Sequence, residues 1–229
     1  MKTETIQQVI QIANEEQLPS KYIVIDIEST GFFPWYGDRI TCICAKDPDG
    51  NKFGMVHEAE DAIINDFLCW LNKHDSKEYK IITKNGKQFD IPFIMTRCAN
   101  VLETITEGIC LLDYPHFDLQ ELTKKRISLD DMAKLLGCTP KSGTGENAIK
   151  LWKEGNYDEL KEYCMQDVET TEEVYLRWKM LQEFGEYQGI IIEALEDYRR
   201  WFTEESEVKM EDKNERVEQI DKALEFVKN

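Results

Sequence analysis

The stretch Tyr22 to Gly31, YIVIDIESTG, constrains this chain more than any other. Its β-branched apolar run, closed by Gly31, predicts a buried strand over 22–28. The run nevertheless carries Asp26 and Glu28, and side chains two apart on a strand point to one face. Two carboxylates therefore stand side by side at the margin of a core. A buried charge is costly unless something of opposite sign meets it.

The chain has 229 residues. That length fits one large α/β domain with an appendage. The expected division is 1–184, with its core at about 20–182, and an acidic helical extension over 185–229. Residues 1–20 are polar and helix-like rather than a signal peptide, and no stretch approaches the roughly 18 apolar residues of a membrane helix. Seven cysteines are scattered, the count is odd, and no CxxC pair occurs. Neither a disulfide framework nor a zinc site is expected, Cys42-x-Cys44 reads as strand packing, and a reducing, cytoplasmic location fits best. The net charge of −17 argues against a protein that coats nucleic acid electrostatically. It leaves room for an enzyme whose bound cations supply the positive charge. Residues 183–229 hold 14 acids and 7 bases, a net −7.

Apolar periodicity predicts a helix over 5–16 and strands at 22–28, 40–45 and 52–56, the last two joined by the KDPDGN turn. An amphipathic helix over 59–73, a strand at 80–84 and a helix at about 91–102 follow. A fifth strand is expected at 109–113, then helices near 119–125, 128–136, 144–153 and 158–182, with KSGTG (141–145) as a loop. The order implies a mixed sheet flanked by helices. In the tail, Ile190, Ile191, Ile192, Leu195, Tyr198, Trp201 and Phe202 form an apolar face. Val217, Ile220, Leu224 and Val227 have coiled-coil spacing. Those helices either pack back on the domain or dock a protein partner or a second copy.

Two further acids join the first pair. Asp90 closes the segment NGKQFD and alone reads as a helix cap. Tyr163 and Asp167 lie four apart, on one face of a helix. If Asp26, Glu28, Asp90 and Asp167 converge at one sheet edge, four carboxylates share a small space. Two like charges 4 Å apart repel by about 4 kcal/mol at an effective dielectric near 20. Two divalent cations would balance a charge of −4, and all-oxygen ligation favours Mg²⁺ or Mn²⁺. Two such ions about 4 Å apart are the apparatus of phosphoryl transfer. The Tyr163 hydroxyl, one turn from Asp167, is suited to orient the attacking water.

DIE at 26–28, N-x-x-x-F-D at 85–90 and Y-x-x-x-D at 163–167 resemble the three exonuclease motifs of the DEDD superfamily, whose fold is ribonuclease-H-like. The tyrosine marks the DEDDy class; the histidine class would need His at 162, where this chain has Glu162. DIESTGFFPWYGDRI, NGKQFDIPFIMTR, SLDDMAKLLG and EYCMQDVETT look most like the exonuclease domain of family-B DNA polymerases and their stand-alone relatives, over roughly 20–180. The resemblance implies a ribonuclease-H-like mixed five-stranded sheet with a helical C-terminal extension. It implies 3′→5′ hydrolysis at single-stranded DNA ends, with Asp26, Glu28, Asp90 and Asp167 as metal ligands and Tyr163 as the water-orienting residue. Thr30, Gly31, Asn85 and Phe89 would lie against the terminal nucleotides. No polymerase palm or fingers follow, so proofreading in cis is not expected. The alternatives are an exoribonuclease on the same fold and a non-catalytic nucleic-acid-binding or scaffold protein. Phosphate-binding candidates are few: Lys84, Lys87 and Lys124-Lys125-Arg126. Phe32, Phe33, Trp35 and Tyr36 either stack bases or pack their own loop.

Overall fold

A computed structural model describes residues 19–101, 111–123, 126–140 and 145–185, with scattered positions between 195 and 224. The expected helix over 5–16, Lys124, Lys125 and most of the KSGTG loop lie outside the described residues. Glu16–Arg177 form one compact unit; a second takes in Trp178–Asn229 with Met1–Glu15.

The larger unit is built on five strands: β1 (Lys21–Ser29), β2 (Ile40–Lys46), β3 (Lys52–Val56), β4 (Tyr79–Thr83) and β5 (His116–Asp118), in the order β3-β2-β1-β4-β5. β1–β2 and β2–β3 are antiparallel, whereas β1–β4 and β4–β5 are parallel. This is the expected mixed five-stranded sheet. The helices are α1 (Glu60–Leu71), α2 (Asp90–Val101), α3 (Leu129–Leu135), α4 (Gly145–Glu154) and α5 (Tyr157–Gly185).

The period of two sorts each strand. Ile23, Ile25 and Ile27 of β1, with Ile43 and Ala45 of β2, turn into a core shared with Ile63, Ile64, Phe67 and Leu71 of α1 and Phe93 and Ile94 of α2. Each fully buried side chain of this kind contributes about 1.5–3 kcal/mol. The opposite face receives α5. There the Tyr22 hydroxyl donates to Glu172 at 3.0 Å, Lys46 pairs with the same carboxylate, and the Tyr22 and Tyr175 rings meet edge-on at 5.3 Å.

Two expectations need correction. The fifth strand is not at 109–113: Leu111–Asp113 form a single 3₁₀ turn, and β5 lies three residues later. Alternation favoured the apolar ICLLD run over HFD, but of its two leucines Leu111 is buried while Leu112 is 67 % exposed. The Pro115 carbonyl accepts from Ile81 N–H at 2.8 Å and starts the pairing with β4. Likewise 119–125 is no helix of two turns but a 3₁₀ turn over Leu119–Leu122, closed at Thr123 in extended backbone.

In the second unit, Trp201–Glu205 form a π-helical turn, Arg199 pairs with Asp221 at 2.6 Å, and Leu224 is buried. Most of the apolar face expected at 190–202, and Val227 of the coiled-coil pattern, lie outside the described residues. No helix among the described residues is long and apolar enough to cross a membrane.

A buried fork joins three elements of the larger unit. Glu60 accepts from the Ile40 N–H at 2.7 Å and takes Arg97 in a bidentate pair, Nε to Oε1 at 2.9 Å and Nη2 to Oε2 at 2.6 Å. Arg97 Nη1 also donates to the Pro34 carbonyl at 3.1 Å. Arg97→Ala strands the buried Glu60 carboxylate, and its expected cost is about 3 kcal/mol. The shift of a urea-unfolding midpoint checks this, and Glu60→Gln combined with Arg97→Met should recover most of the loss.

Candidate active site

β1 pairs with β4 only over Lys21–Val24 opposite Tyr79–Ile82. Beyond that point the two strands part, while β1 continues its ladder with β2 through Glu28 and Ser29, where the register shifts by a bulge. The parting opens a crevice at the carboxyl ends of the parallel pair, the usual position for a site in an α/β sheet. Into it turn Asp26 and Glu28, on the face that α5 covers.

The helix supplies the third acid. α5 buries Leu160, Tyr163, Cys164, Asp167, Val168, Thr171, Val174 and Tyr175, a stripe at spacings of three and four. Asp167 therefore points at the sheet. One carboxylate oxygen from each of Asp26, Glu28 and Asp167 lies within 4.8 Å of the others. Asp26 also accepts from the Cys164 thiol, at 3.5 Å to its carbonyl and 3.5 Å to Oδ2. Tyr163 is buried one turn before Asp167, as its spacing implied.

Asp90 sits differently. It is the first residue of α2, and its Oδ1 accepts from the Ile27 N–H at 3.2 Å. That N–H faces the side from which β4 has departed, so the carboxylate replaces a lost ladder partner. Burial pushes the Asp90 carboxyl up to about 7 against the pull of backbone N–H groups, and the charges of Asp118 and Asp167 add to the rise. Asp90 is thus electrostatically coupled to Asp167 but stands outside the group of three.

The loop before α2 is shaped by a residue that sequence reasoning missed. Asp118, 2 % exposed, accepts from Asn85 N–H at 2.6 Å and Gln120 N–H at 2.9 Å on Oδ1, and from Lys87 N–H at 3.0 Å on Oδ2. Asn85 takes a positive φ of 68° there, a conformation Asn tolerates better than most. Gly86 follows because a Cβ would lie 2.4 Å from Thr83 Oγ1. Thr83 in turn meets His116 Nε2 at 2.7 Å, and burial lowers the His116 pKa to about 4. The only sequence signal for Asp118 was its place before LQEL, where an acid caps a turn.

Thr30 and Gly31 begin the loop leaving β1. Thr30 N–H donates to the Arg39 carbonyl at 3.0 Å, and Thr30 Oγ1 accepts from Arg39 N–H at 3.0 Å. Gly31 is required by Asp38: a Cβ would fall 2.3 Å from Asp38 Oδ2, which also accepts from Phe33 N–H at 3.0 Å. Beyond Gly31, the side chains of Phe32, Phe33, Trp35 and Tyr36 are 71, 52, 62 and 83 % exposed and rest largely on one another. Phe32 meets Phe89 at 6.1 Å, and Phe89 meets the core residue Phe93 at 5.4 Å. Two of the expected substrate-side residues, Gly31 and Phe89, are thereby linked to this aromatic patch.

Three carboxylates and no sulfur or imidazole form a donor set that fits a hard divalent cation. Against known proteins, a family profile for the RNase H superfamily matches residues 23–179. No curated protein matches the chain. Among solved structures, the family B DNA polymerase from the hyperthermophilic archaeon Pyrobaculum calidifontis superposes with a TM-score of 0.55 at 18 % identity. The match covers 71 % of this chain and 25 % of that polymerase, so the chain spans about a quarter of its length.

Asp118→Ala should free the Asn85–Lys87 loop without dismantling the sheet. Amide hydrogen exchange is expected to accelerate at Asn85, Lys87 and Gln120 while the β1–β2 ladder keeps its protection. Equal acceleration in both would make Asp118 a general stability residue instead.

Proposed function

The chain belongs to the RNase H superfamily, and on that premise we propose that it is a metal-dependent 3′→5′ exonuclease acting on single-stranded DNA by a two-metal-ion mechanism. The observation that carries the proposal is the approach of Asp26, Glu28 and Asp167 to within 4.8 Å on a covered sheet face. Three like charges in partial burial repel one another and oppose folding. A role that uses the charge accounts for it.

In this reading Asp26, Glu28 and Asp167 hold Mg²⁺ or Mn²⁺, and Asp90 completes the set from α2. The cations, when bound, lower the pKa of the attacking water and offset charge at the leaving oxygen. The chain's own residues do the positioning. Asp167 and Tyr163 share one helix face, so the phenol comes to the scissile phosphate from the same side as the carboxylate. Its hydroxyl orients the water along the line of attack. Asp90, tied to Ile27, keeps the start of α2 against β1 and so keeps the two halves of the crevice in register.

The preference for single strands is supported by the aromatic patch. Phe32, Phe33, Trp35 and Tyr36 expose ring faces four to eight residues after Glu28. Stacking of an unpaired base on such a ring is worth about 1–3 kcal/mol and tolerates any sequence. Affinity of that kind suits a protein of net charge −17, which gains little from coating a duplex backbone. Asn85 and Thr30, at the two lips of the crevice, are the proposed contacts to the terminal nucleotide.

The test uses 5′-labelled single-stranded DNA, and RNA of the same sequence, with Mg²⁺ or Mn²⁺. DNA is expected to shorten stepwise from its 3′ end, and EDTA should stop it. Faster loss of RNA would reassign the substrate, and intact DNA and RNA beside folded protein would sink the proposal. Asp26→Asn or Asp167→Asn should cost roughly a thousandfold or more in rate. Thermal melting of either variant without metal should be no lower than that of the parent, because repulsion is relieved. Tyr163→Phe should slow turnover by about 10- to 100-fold while the metal-induced rise in Tm persists; unchanged turnover would remove the water-orienting role.

A further inference from the structure

The face that presents Asp26 and Glu28 bears a second cluster, one the proposed reaction does not use. Cys42 and Cys44 of β2 and Cys164 of α5 are all fully buried and free of disulfides. Their three sulfurs lie within 4.8 Å of one another. The register accounts for the meeting: Cys42 stands opposite Glu28 and Cys44 opposite Asp26, so thiols and carboxylates occupy adjacent rows of one face. Cys164, three residues before Asp167 on α5, closes the thiol row as Asp167 closes the acidic one.

We propose that Cys42, Cys44 and Cys164 form a binding site for one soft, thiophilic cation, beside the hard-cation centre and touching it where the Cys164 thiol meets Asp26 Oδ2 at 3.5 Å. Soft cations choose thiolates and hard ones choose carboxylates, so the two clusters would sort metals by ligand chemistry alone. Three sulfurs suit a low-coordinate soft ion of the Cu⁺ or Cd²⁺ kind, where a structural zinc site asks for four ligands. On binding, each S–H releases its proton to solvent and each sulfur forms a bond to the cation; no electron changes hands.

Buried cysteines also serve as small apolar residues. Two features go beyond packing. The sulfurs face one another and polar atoms: Cys42 Sγ is 3.7 Å from Cys44 Sγ, and Cys44 and Cys164 donate to the carbonyls of Lys161 and Asp26 at 3.6 and 3.5 Å. A surface cavity also lies one residue layer away. Gly54 pairs with Cys44 across β2–β3, and a Cβ on it would stand 3.4 Å from Cys44 Sγ. The same glycine lines a surface cavity of about 390 Å³ with Lys52, Lys161, Met165, Gln166 and Glu169. Met165, a thioether, forms part of the cavity wall, and its Cε and Lys161 Cγ each lie 3.5 Å from where a Gly54 Cβ would stand.

The test is a Cd²⁺ titration of the reduced full chain in excess Mg²⁺, followed by the thiolate-to-cadmium charge-transfer absorption. The expected result is saturation at one cation per chain with the intensity of three thiolates. The band should persist in a variant with Cys69, Cys98, Cys110 and Cys138 all replaced by Ala. It should fall in Cys44→Ala and in Cys164→Ser, each checked for folding by circular dichroism. Gly54→Leu should slow uptake without changing the stoichiometry. An absent band, a band unchanged in folded Cys44→Ala or Cys164→Ser, or one lost with the four other cysteines would overturn the site.

Discussion

The hydrogen bond from the Ile27 N–H to Asp90 is the joint on which the crevice turns. A parallel pair that parts opens a crevice and leaves backbone donors bare. Here β1 and β4 part after Val24 and Ile82, and a side chain from the next element accepts the donor that the ladder has lost. The bond therefore permits the opening and fixes where α2 begins. Its carboxylate is held in a setting that raises its pKa to about 7, chiefly through burial. Stability and charge are in tension at this residue, as they are in sites that use pKa perturbation.

The rest of the larger unit holds that joint steady. On one face, isoleucines of β1 pack with α1 and α2, and the Glu60–Arg97 fork ties β2, both helices and the Pro34 loop together. On the other, Tyr22 and Lys46 converge on Glu172 and set the height and rotation of α5. Rotation of that helix decides whether Asp167 faces the carboxylates or solvent. The ion pair five residues further along the helix is thus a positional device, whatever net stability a buried pair supplies.

Much of this was legible beforehand because it is written in local periods. Asp26 and Glu28 two apart, Tyr163 and Asp167 four apart, and an antiparallel β2–β3 pair across an Asp-Gly turn each follow from one element's geometry. The misreadings share a cause. β5 is three residues long, HFD, and its pairing with β4 is fixed by a Pro115 carbonyl rather than by any alternation. Asp118 matters because it collects amides from a loop some thirty residues earlier in sequence. The thiol cluster needs Cys164, more than a hundred positions from Cys42 and Cys44, so no spacing rule could announce it. Asp90 was grouped with the three other acids through its place at a helix start and its NGKQFD motif, and its backbone partner Ile27 was not visible in the sequence.

β1 also carries a constraint of arithmetic. Its even-numbered positions, Tyr22, Val24, Asp26 and Glu28, lie on the face that α5 covers, and its odd-numbered ones, Ile23, Ile25 and Ile27, lie on the face of α1 and α2. One residue added between Val24 and Asp26 would exchange the two sets, sending the acids into hydrocarbon and isoleucine into the crevice. Two residues added would restore the faces but move the acids about 7 Å along the strand. The segment is therefore read in pairs, and a gap of odd length in it would end the site while leaving every one of its residues present.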